Sequence, residues 1–222
     1  MALDDVSLRL EAAQTMAIWG ADNSGKTTLL RLAAGLDQPD LGQVRYDGRD
    51  LSACTRRERA KLLRSEIGCI WRALRTPPGL SILDEVALPL ARSGDARTAR
   101  ARAQAMLEEV DGGAFAGASW DELEDGDRAR VNVAHALVRE PRLLLADEPT
   151  AKLNVVEREQ LLGLLDRISA EREIAVLMTA PGAPDTLRSQ RLASLDRGQL
   201  IEPERAPGKG QVADLSVARR RS

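Results

Sequence analysis

Residues 20–27, Gly-Ala-Asp-Asn-Ser-Gly-Lys-Thr, combine two glycines, a lysine and a threonine at the spacing G-x-x-x-x-G-K-[ST]. Glycines allow backbone N–H groups to turn inward around an anion. A lysine at this spacing neutralises phosphate charge, and the hydroxyl after it is an oxygen ligand for Mg²⁺. The pattern therefore predicts a nucleoside triphosphate site. Its binding residues are expected to be Gly20, Asn23, Ser24, Gly25, Lys26, Thr27 and Thr28.

The flanking sequence separates this loop from an ordinary glycine-rich turn. Residues 16–19 are an apolar run that fits a buried strand, and residues 28–35 are a helical stretch. Strand, glycine-bounded loop and helix in that order are the context of a phosphate-binding loop. The start of the helix adds the positive end of its dipole. We therefore favour the nucleotide site over the plain turn.

A second group of acidic residues follows the apolar run at 142–146. Asp147 stands where a buried strand should end, and Glu148 comes directly after it. A carboxylate at that place can join Thr27 on Mg²⁺, and its neighbour can polarise an attacking water as a general base. The alternative is an acidic pair that caps the chain before Pro149 and Thr150. The loop upstream favours the catalytic interpretation.

Composition and element order limit the class of protein. The 222 residues carry a net charge of −2, which does not call for a nucleic-acid partner. Cys54 and Cys69 make no disulfide framework, which suits a reducing cytosol. Strands alternating with helices predict an α/β domain with a largely parallel sheet and phosphates at the carboxyl ends of its strands. We found no membrane span or signal peptide in the sequence.

Several stretches together resemble the ATP-binding-cassette (ABC) ATPases, over nearly all of residues 2–201. The resemblance is strongest for the branch of the lipoprotein-release, macrolide-export and cell-division ATPases. The stretches that carry it are Ala2-Leu3-Asp4-Asp5-Val6-Ser7-Leu8, Leu83-Asp84-Glu85-Val86-Ala87-Leu88-Pro89-Leu90, Arg130-Val131, Ala136-Leu137-Val138 and Leu143-Leu144-Leu145-Ala146-Asp147-Glu148-Pro149-Thr150.

The resemblance implies a fold and an assembly. The fold would be a P-loop NTPase, with a RecA-like core, an antiparallel β edge and an inserted helical subdomain at about 73–140. The nucleotide-binding domain would cover residues 1–201, and 202–222 would be a disordered tail. ATP and Mg²⁺ would be the cofactors, Thr27 and Asp147 the metal ligands and Glu148 the catalytic base. Two ATPs would lie between this chain and a second ABC ATPase subunit, docked on a membrane permease. The chain would be cytoplasmic and peripheral on the inner face of the plasma membrane.

Four family elements are altered in this chain. The glutamine after the strand at 67–71 is replaced by Arg72, and the signature pattern Leu-Ser-Gly-Gly aligns on Leu123-Glu124-Asp125-Gly126. The aspartate after Leu153 is replaced by Asn154, and the switch histidine by Ala180. The chain's only histidine, His135, lies in the helix after the signature, where we expect a packing or surface role.

Each change has a physical consequence. A guanidinium has no acceptor atom, so Arg72 cannot replace an amide oxygen near Mg²⁺. It would either pair with a phosphate or face solvent. Asp125 adds a Cβ where a glycine lets backbone approach phosphate. A carboxylate about 4 Å from a phosphate charge is repelled by roughly 4 kcal/mol at an effective dielectric of 20. The local alternative is an ordinary acidic loop at a helix start.

Three functions follow from this pattern. The leading prediction is an ATP-binding subunit of an ABC-type transport complex with impaired hydrolysis, either the degenerate half of a heterodimer or a structural subunit. The first alternative is a fully active transport ATPase. The second is a soluble nucleotide-binding regulatory protein without a permease.

Overall fold

The strands of the larger sheet bring the loop and the acidic pair to one edge. A computed structural model describes residues 2–71, 79–91, 95–182 and 189–201, together with the backbone of 211–217. Within these ranges the larger sheet has six strands in the order β5-β6-β7-β2-β8-β9. They are β2 (Thr15–Trp19), β5 (Ile67–Ile70), β6 (Leu143–Ala146), β7 (Ala175–Ala180), β8 (Arg191–Asp196) and β9 (Gln199–Ile201). The first five in that order are parallel, and β9 pairs antiparallel with β8.

A smaller antiparallel sheet lies beside this one, in the order β1-β10-β3-β4. Its strands are β1 (Val6–Glu11), β3 (Gln43–Tyr46), β4 (Arg49–Asp50) and β10 (Gln211–Val217). The predicted α/β class, with a parallel core and an antiparallel edge, is confirmed.

The helices take their places by burial and capping. They are α1 (Lys26–Ala33), α2 (Arg56–Ser65), α3 (Ile82–Ala87), α4 (Ala96–Glu109), α5 (Asp125–Leu137) and α6 (Val155–Arg172). Short 3₁₀ turns follow α3 and precede α5. Capping boxes open α2, from Thr55 with Glu58, and α6, from Asn154 with Glu157. In the described ranges no helix is both long and apolar enough to cross a bilayer.

Alternate residues of the parallel strands enter two separate cores. Leu143 and Leu145 pack with α1 and the smaller sheet, whereas Leu144 and Ala146 pack with α3 to α6. This is the period of two that a strand buried on both faces imposes. β6 is therefore covered on both sides, and Asp147 follows directly at its carboxyl end.

The prediction of a disordered tail over 202–222 is wrong for residues 211–217. Their backbone forms β10, which pairs antiparallel with both β1 and β3. Residues 213, 215 and 217 are Ala, Leu and Val and alternate with the polar residues 214 and 216, a pattern that is typical of a strand. Glycine, proline and charge around this segment hid the pattern. The fold therefore extends beyond the predicted end of the domain at 201, and the other tail residues lie outside the described ranges.

Candidate nucleotide site

The loop at 20–27 joins the carboxyl end of β2 to the first turn of α1. Its backbone turns sharply, with φ of 62° at Asn23 and 110° at Gly25. A Cβ on Gly25 would lie 2.3 Å from the Ala2 carbonyl oxygen, and one on Gly20 would lie 2.3 Å from that of Leu195. Both positions therefore require glycine, for close approach at each and also for the positive φ at Gly25.

Lys26 points back into the loop. Its buried Nζ donates hydrogen bonds to the carbonyl oxygens of Gly20 (2.6 Å) and Ala21 (2.9 Å). It also lies 3.4 Å from Glu148 Oε1, and both side chains are almost fully buried. The ammonium group is thus held where phosphate charge would enter, with the carboxylate of Glu148 as its counterion.

A cavity of about 530 Å³ opens over this loop. Five of the seven predicted binding residues line it, namely Asn23, Gly25, Lys26, Thr27 and Thr28. Gly20 contributes through its carbonyl oxygen, which receives Lys26. Ser24 is buried, and its hydroxyl has no hydrogen-bond partner among the described residues.

Thr27 and Asp147 meet although 120 residues separate them in the chain. The Thr27 hydroxyl donates to Asp147 Oδ2 at 2.9 Å. Asp147 follows directly on β6, whose four residues are all buried. A hydroxyl and a carboxylate oxygen side by side are hard ligands of the kind that Mg²⁺ prefers. The two predicted metal ligands therefore lie together beside the loop.

Thr179, near the end of β7, contacts both acidic residues and was not predicted from the sequence. Its hydroxyl donates to Asp147 Oδ1 at 2.9 Å and accepts the backbone N–H of Glu148 at 2.9 Å. Glu148 itself has a left-handed backbone, with φ of 49°. A polar residue inside the apolar run Ala175–Ala180 was the available signal.

A second cavity, of about 500 Å³, adjoins the first on the helical side. Trp71, Asp125, Asn132, Asp147 and Glu148 are among the residues that line it. Arg128 lies 6.0 Å from the ring centre of Trp120, which also lines the cavity. Glu148 thus borders both cavities, at the junction where a nucleophilic water could reach a bound phosphate.

The altered signature loop forms the start of α5. Glu124 is the residue before the helix, and Asp125 is its first residue. Asp125 pairs with Arg128 at 3.3 Å, and Asp127 with Arg130 at 3.5 Å. Acids in a first helical turn complement the dipole, as the local alternative expected.

The remaining altered positions fall at different places. Asn154 caps α6, and its capping partner Glu157 would lie 2.9 Å from a Cβ on Gly126. Ala180 follows Thr179 as the last residue of β7, and it is buried. Arg72 lies outside the described residues.

His135 sits on α5, away from both cavities of the site. Burial, together with the charge of Arg139, lowers its pKa below the ordinary value. It lines a small groove with Cys69 and Arg139, in agreement with a packing role.

The residues present fit a nucleotide with Mg²⁺. The cavity over the glycine-bounded turn leaves room for phosphate, and Lys26 supplies a buried positive charge. Thr27 and Asp147 supply two oxygens already in contact. Glu148, on the same strand end, is placed to orient or deprotonate a water.

Comparison with known proteins also indicates a nucleotide-binding protein, over most of the chain. A family model described as ABC transporter matches residues 3–151. The lipoprotein-releasing system ATP-binding protein LolD of Chromohalobacter salexigens is 34% identical over 201 residues, covering 90% of this chain and 85% of the relative. The macrolide export ATP-binding/permease protein MacB of Syntrophobacter fumaroxidans is 31% identical over 216 residues. That match covers 96% of this chain and 30% of the relative.

A solved structure matches over most of its length. It is the dimeric post-hydrolysis state of the ATP-binding cassette MJ0796 bound to ADP and Pi. The TM-score is 0.80 at 27% identity, and 90% of each chain is covered. The family match over two thirds of the sequence and this fold together show that the chain belongs to the ABC transporter family, as an ATPase domain.

Proposed function

We propose that this chain is the ATP-binding subunit of an ABC-type membrane transport complex, and that it holds Mg-ATP with little hydrolysis. The observation that carries the binding is the 2.9 Å contact of Thr27 with Asp147 beside the buried ammonium of Lys26. Three remote parts of the chain, β2, α1 and β6, must fold together to make this arrangement.

In this proposal the loop residues Gly20 to Thr28 bind the phosphates, and Thr27 and Asp147 hold Mg²⁺. Bound Mg²⁺ would neutralise phosphate charge and fix the phosphate oxygens. Glu148 would act as the general base once nucleotide charge draws Lys26 away from it. Until then the contact of 3.4 Å between Lys26 and Glu148 ties the two groups together.

Impaired hydrolysis is supported by what stands at the altered positions. Ala180 has no group that can contact a γ-phosphate or a water, and β7 directs its one hydroxyl, on Thr179, to Asp147. Asp125 puts a carboxylate on the surface that family members close against the partner's nucleotide. Its pairing with Arg128 is half exposed and therefore only partly offsets the charge.

The partners follow from the relatives. LolD is named as the ATP-binding protein of a lipoprotein-releasing system, and MacB as a combined ATP-binding/permease protein of which this chain spans under a third. We propose a permease and a second ABC ATPase subunit as partners, without nucleic acid. The chain would then sit peripherally on the inner face of the plasma membrane. The residues at about 73–140, which include α3, α4 and α5, would form the helical subdomain.

The fully active ATPase remains a second candidate, because Lys26, Thr27, Asp147 and Glu148 are all present and in contact. Purified chain and its Glu148→Gln variant separate the two. We expect both to bind ATP in the presence of Mg²⁺ and to show little phosphate release. Substantial phosphate release by the unmodified chain, abolished in Glu148→Gln, would establish the active enzyme instead.

The permease is tested by native pull-down from membranes, using the chain in its own cell. Recovery of a membrane protein with several spans, together with a second cassette, is the expected result. Recovery of neither would favour a soluble regulatory protein.

A further inference from the structure

The hydroxyl of Thr179 is the only polar side-chain group on β7, whose sequence is Ala-Val-Leu-Met-Thr-Ala. The residue is 1% exposed, so its hydroxyl is shielded from bulk solvent. β7 lies between β6 and β2 in the sheet, and these two strands lead to Asp147 and to the phosphate loop. Thr179 is therefore at the centre of the strand ends that build the site.

The direction of its two hydrogen bonds is fixed by chemistry. A backbone N–H can only donate, so the Thr179 oxygen accepts from Glu148. The single hydroxyl proton is then available for Asp147 Oδ1, since an ionised carboxylate only accepts. With Oδ1 engaged in this way, Oδ2 is the oxygen that meets the Thr27 hydroxyl at 2.9 Å.

We propose that Thr179 is a positioning residue for the Mg²⁺ site. Its hydroxyl holds the Asp147 carboxylate so that Oδ2 stays beside Thr27, and it anchors the backbone of Glu148 in its left-handed conformation. Thr179 acts through these two residues and touches neither metal nor nucleotide. This inference rests on the proposed function, that the site binds Mg-ATP.

Replacing the hydroxyl distinguishes this role from ordinary packing. Thr179→Val keeps the shape of the side chain but frees Asp147 Oδ1, so the carboxylate can rotate away from Thr27. Loss of a group that orients a metal ligand lowers metal affinity by about 10–100-fold. Thr179→Ser keeps the hydroxyl and should keep the affinity. Packing alone would weaken nucleotide binding with and without Mg²⁺ alike.

Thr15 offers a matched control at the other end of the sheet. It is a fully buried threonine that starts β2, and its hydroxyl accepts the backbone N–H of Gln190 at 3.1 Å. Thr15→Val therefore removes a buried threonine hydroxyl from the same sheet, but at the amino ends of the strands, away from the site. Its effect on stability calibrates that of Thr179→Val.

The experiment measures the dissociation constant of ATP by calorimetry, once with Mg²⁺ and once with EDTA, for the full chain and each variant. The readout is the ratio of the two constants. We expect Thr179→Val to lower the gain from Mg²⁺ at least tenfold, while Thr179→Ser and Thr15→Val retain the unmodified ratio. Thermal unfolding without nucleotide shows that each variant is folded, and Thr179→Ala replaces Thr179→Val if that variant is not.

Two outcomes would overturn the inference. The first is an unchanged ratio of the two dissociation constants in the folded variant without the Thr179 hydroxyl. The second is a Thr179→Ser variant that loses as much of the gain from Mg²⁺ as that variant does. Failure of the unmodified chain to bind ATP under either condition would instead refute the proposed function.

Discussion

At the scale of single residues, Lys26 and Glu148 show how the site keeps its charges in balance. Two loop carbonyls and the Glu148 carboxylate surround the Lys26 ammonium, and both charged side chains are almost fully buried. A buried charge is tolerated only when it is paired and hydrogen-bonded. The same ammonium lines the cavity where phosphate would bind. Its removal should therefore lower the affinity for nucleotide more than it affects other properties of the chain.

Lys26→Ala should therefore weaken ATP binding by about 10–100-fold, the range for a charge-assisted hydrogen bond of ~1.5–3 kcal/mol. The measurement is the ATP dissociation constant with Mg²⁺. Lys61→Ala removes an equal charge from exposed α2 and is expected to bind as the unmodified chain does. Equal affinities for all three proteins would rule out the loop as the phosphate site.

His135 makes stability depend on pH in a defined window. Its pKa in the folded chain is lowered by burial and by Arg139, whereas it is about 6.5 when unfolded. The unfolded chain thus binds the proton more readily. The contribution of His135 to the free energy of unfolding is therefore fully present above pH 6.5 and is lost as the pH falls below it. Carboxylates with lowered pKa, such as Asp37 and Glu58, act only at lower pH.

Chemical denaturation at pH 7.5 and 5.5 checks this expectation. The unmodified chain should be less stable at pH 5.5, and His135→Gln should lose most of that difference because the chain has no other histidine. A pH dependence of the same size in His135→Gln would assign it to other groups.

At the scale of elements, the sequence predicted most of the strands and helices because their patterns are local. The apolar run of β6, and the strand and helix on either side of the phosphate loop, are legible in the chain itself. The first turn of α5 has no decisive local pattern, because the acidic residues at 124–127 suggest a loop as readily as a helix start. Contacts across the sheet, such as Thr179 with Asp147, have no local pattern at all.

The start of α5 allows a test of the altered signature. The N-cap Glu124 makes no capping bond, so serine there should also cap the helix better. In a Glu148→Gln background, which lacks the proposed general base, Glu124→Ser with Asp125→Gly removes two carboxylates from the proposed phosphate-facing surface. We expect ATP-dependent dimer formation to increase, as measured by sedimentation velocity.

The control removes equal charge at the far end of α6. Glu171→Ser with Glu173→Gly suits the structure, since Glu173 has a left-handed backbone with φ of 54°. It should leave dimer formation unchanged. An equal increase in both double variants would trace the effect to net charge rather than to the signature surface.

At the scale of the whole molecule, the smaller sheet depends on a strand from the far end of the chain. β10 lies between β1 and β3 and pairs with both, so these two strands do not contact each other as sheet neighbours. The sequence predicted that the domain ends at 201 because residues 202–222 are rich in charge, glycine and proline. The partner strands that order residues 211–217 lie some 200 and 170 residues upstream.

Removing residues 211–222 should therefore lower the melting temperature, because β1 and β3 lose the hydrogen bonds of the strand between them. Removal of 218–222 alone keeps β10 and is expected to leave the melting temperature unchanged. Differential scanning calorimetry of the two truncated chains makes the comparison. Identical melting temperatures would show that β10 adds nothing to stability.

Glu157 lies between two of the altered positions, Asn154 at the start of α6 and the signature residues at the start of α5. Its carboxylate accepts the backbone N–H of Asn154, and its backbone N–H donates to the Asn154 side chain. The same carboxylate also fills the space beside Gly126 in which a Cβ would lie. The loop after Asp147 and the start of α5 therefore both lie against the side chain of Glu157. Because residues that share a contacting side chain are seldom independent, we expect substitutions at 154 and at 124–125 to be energetically coupled rather than additive.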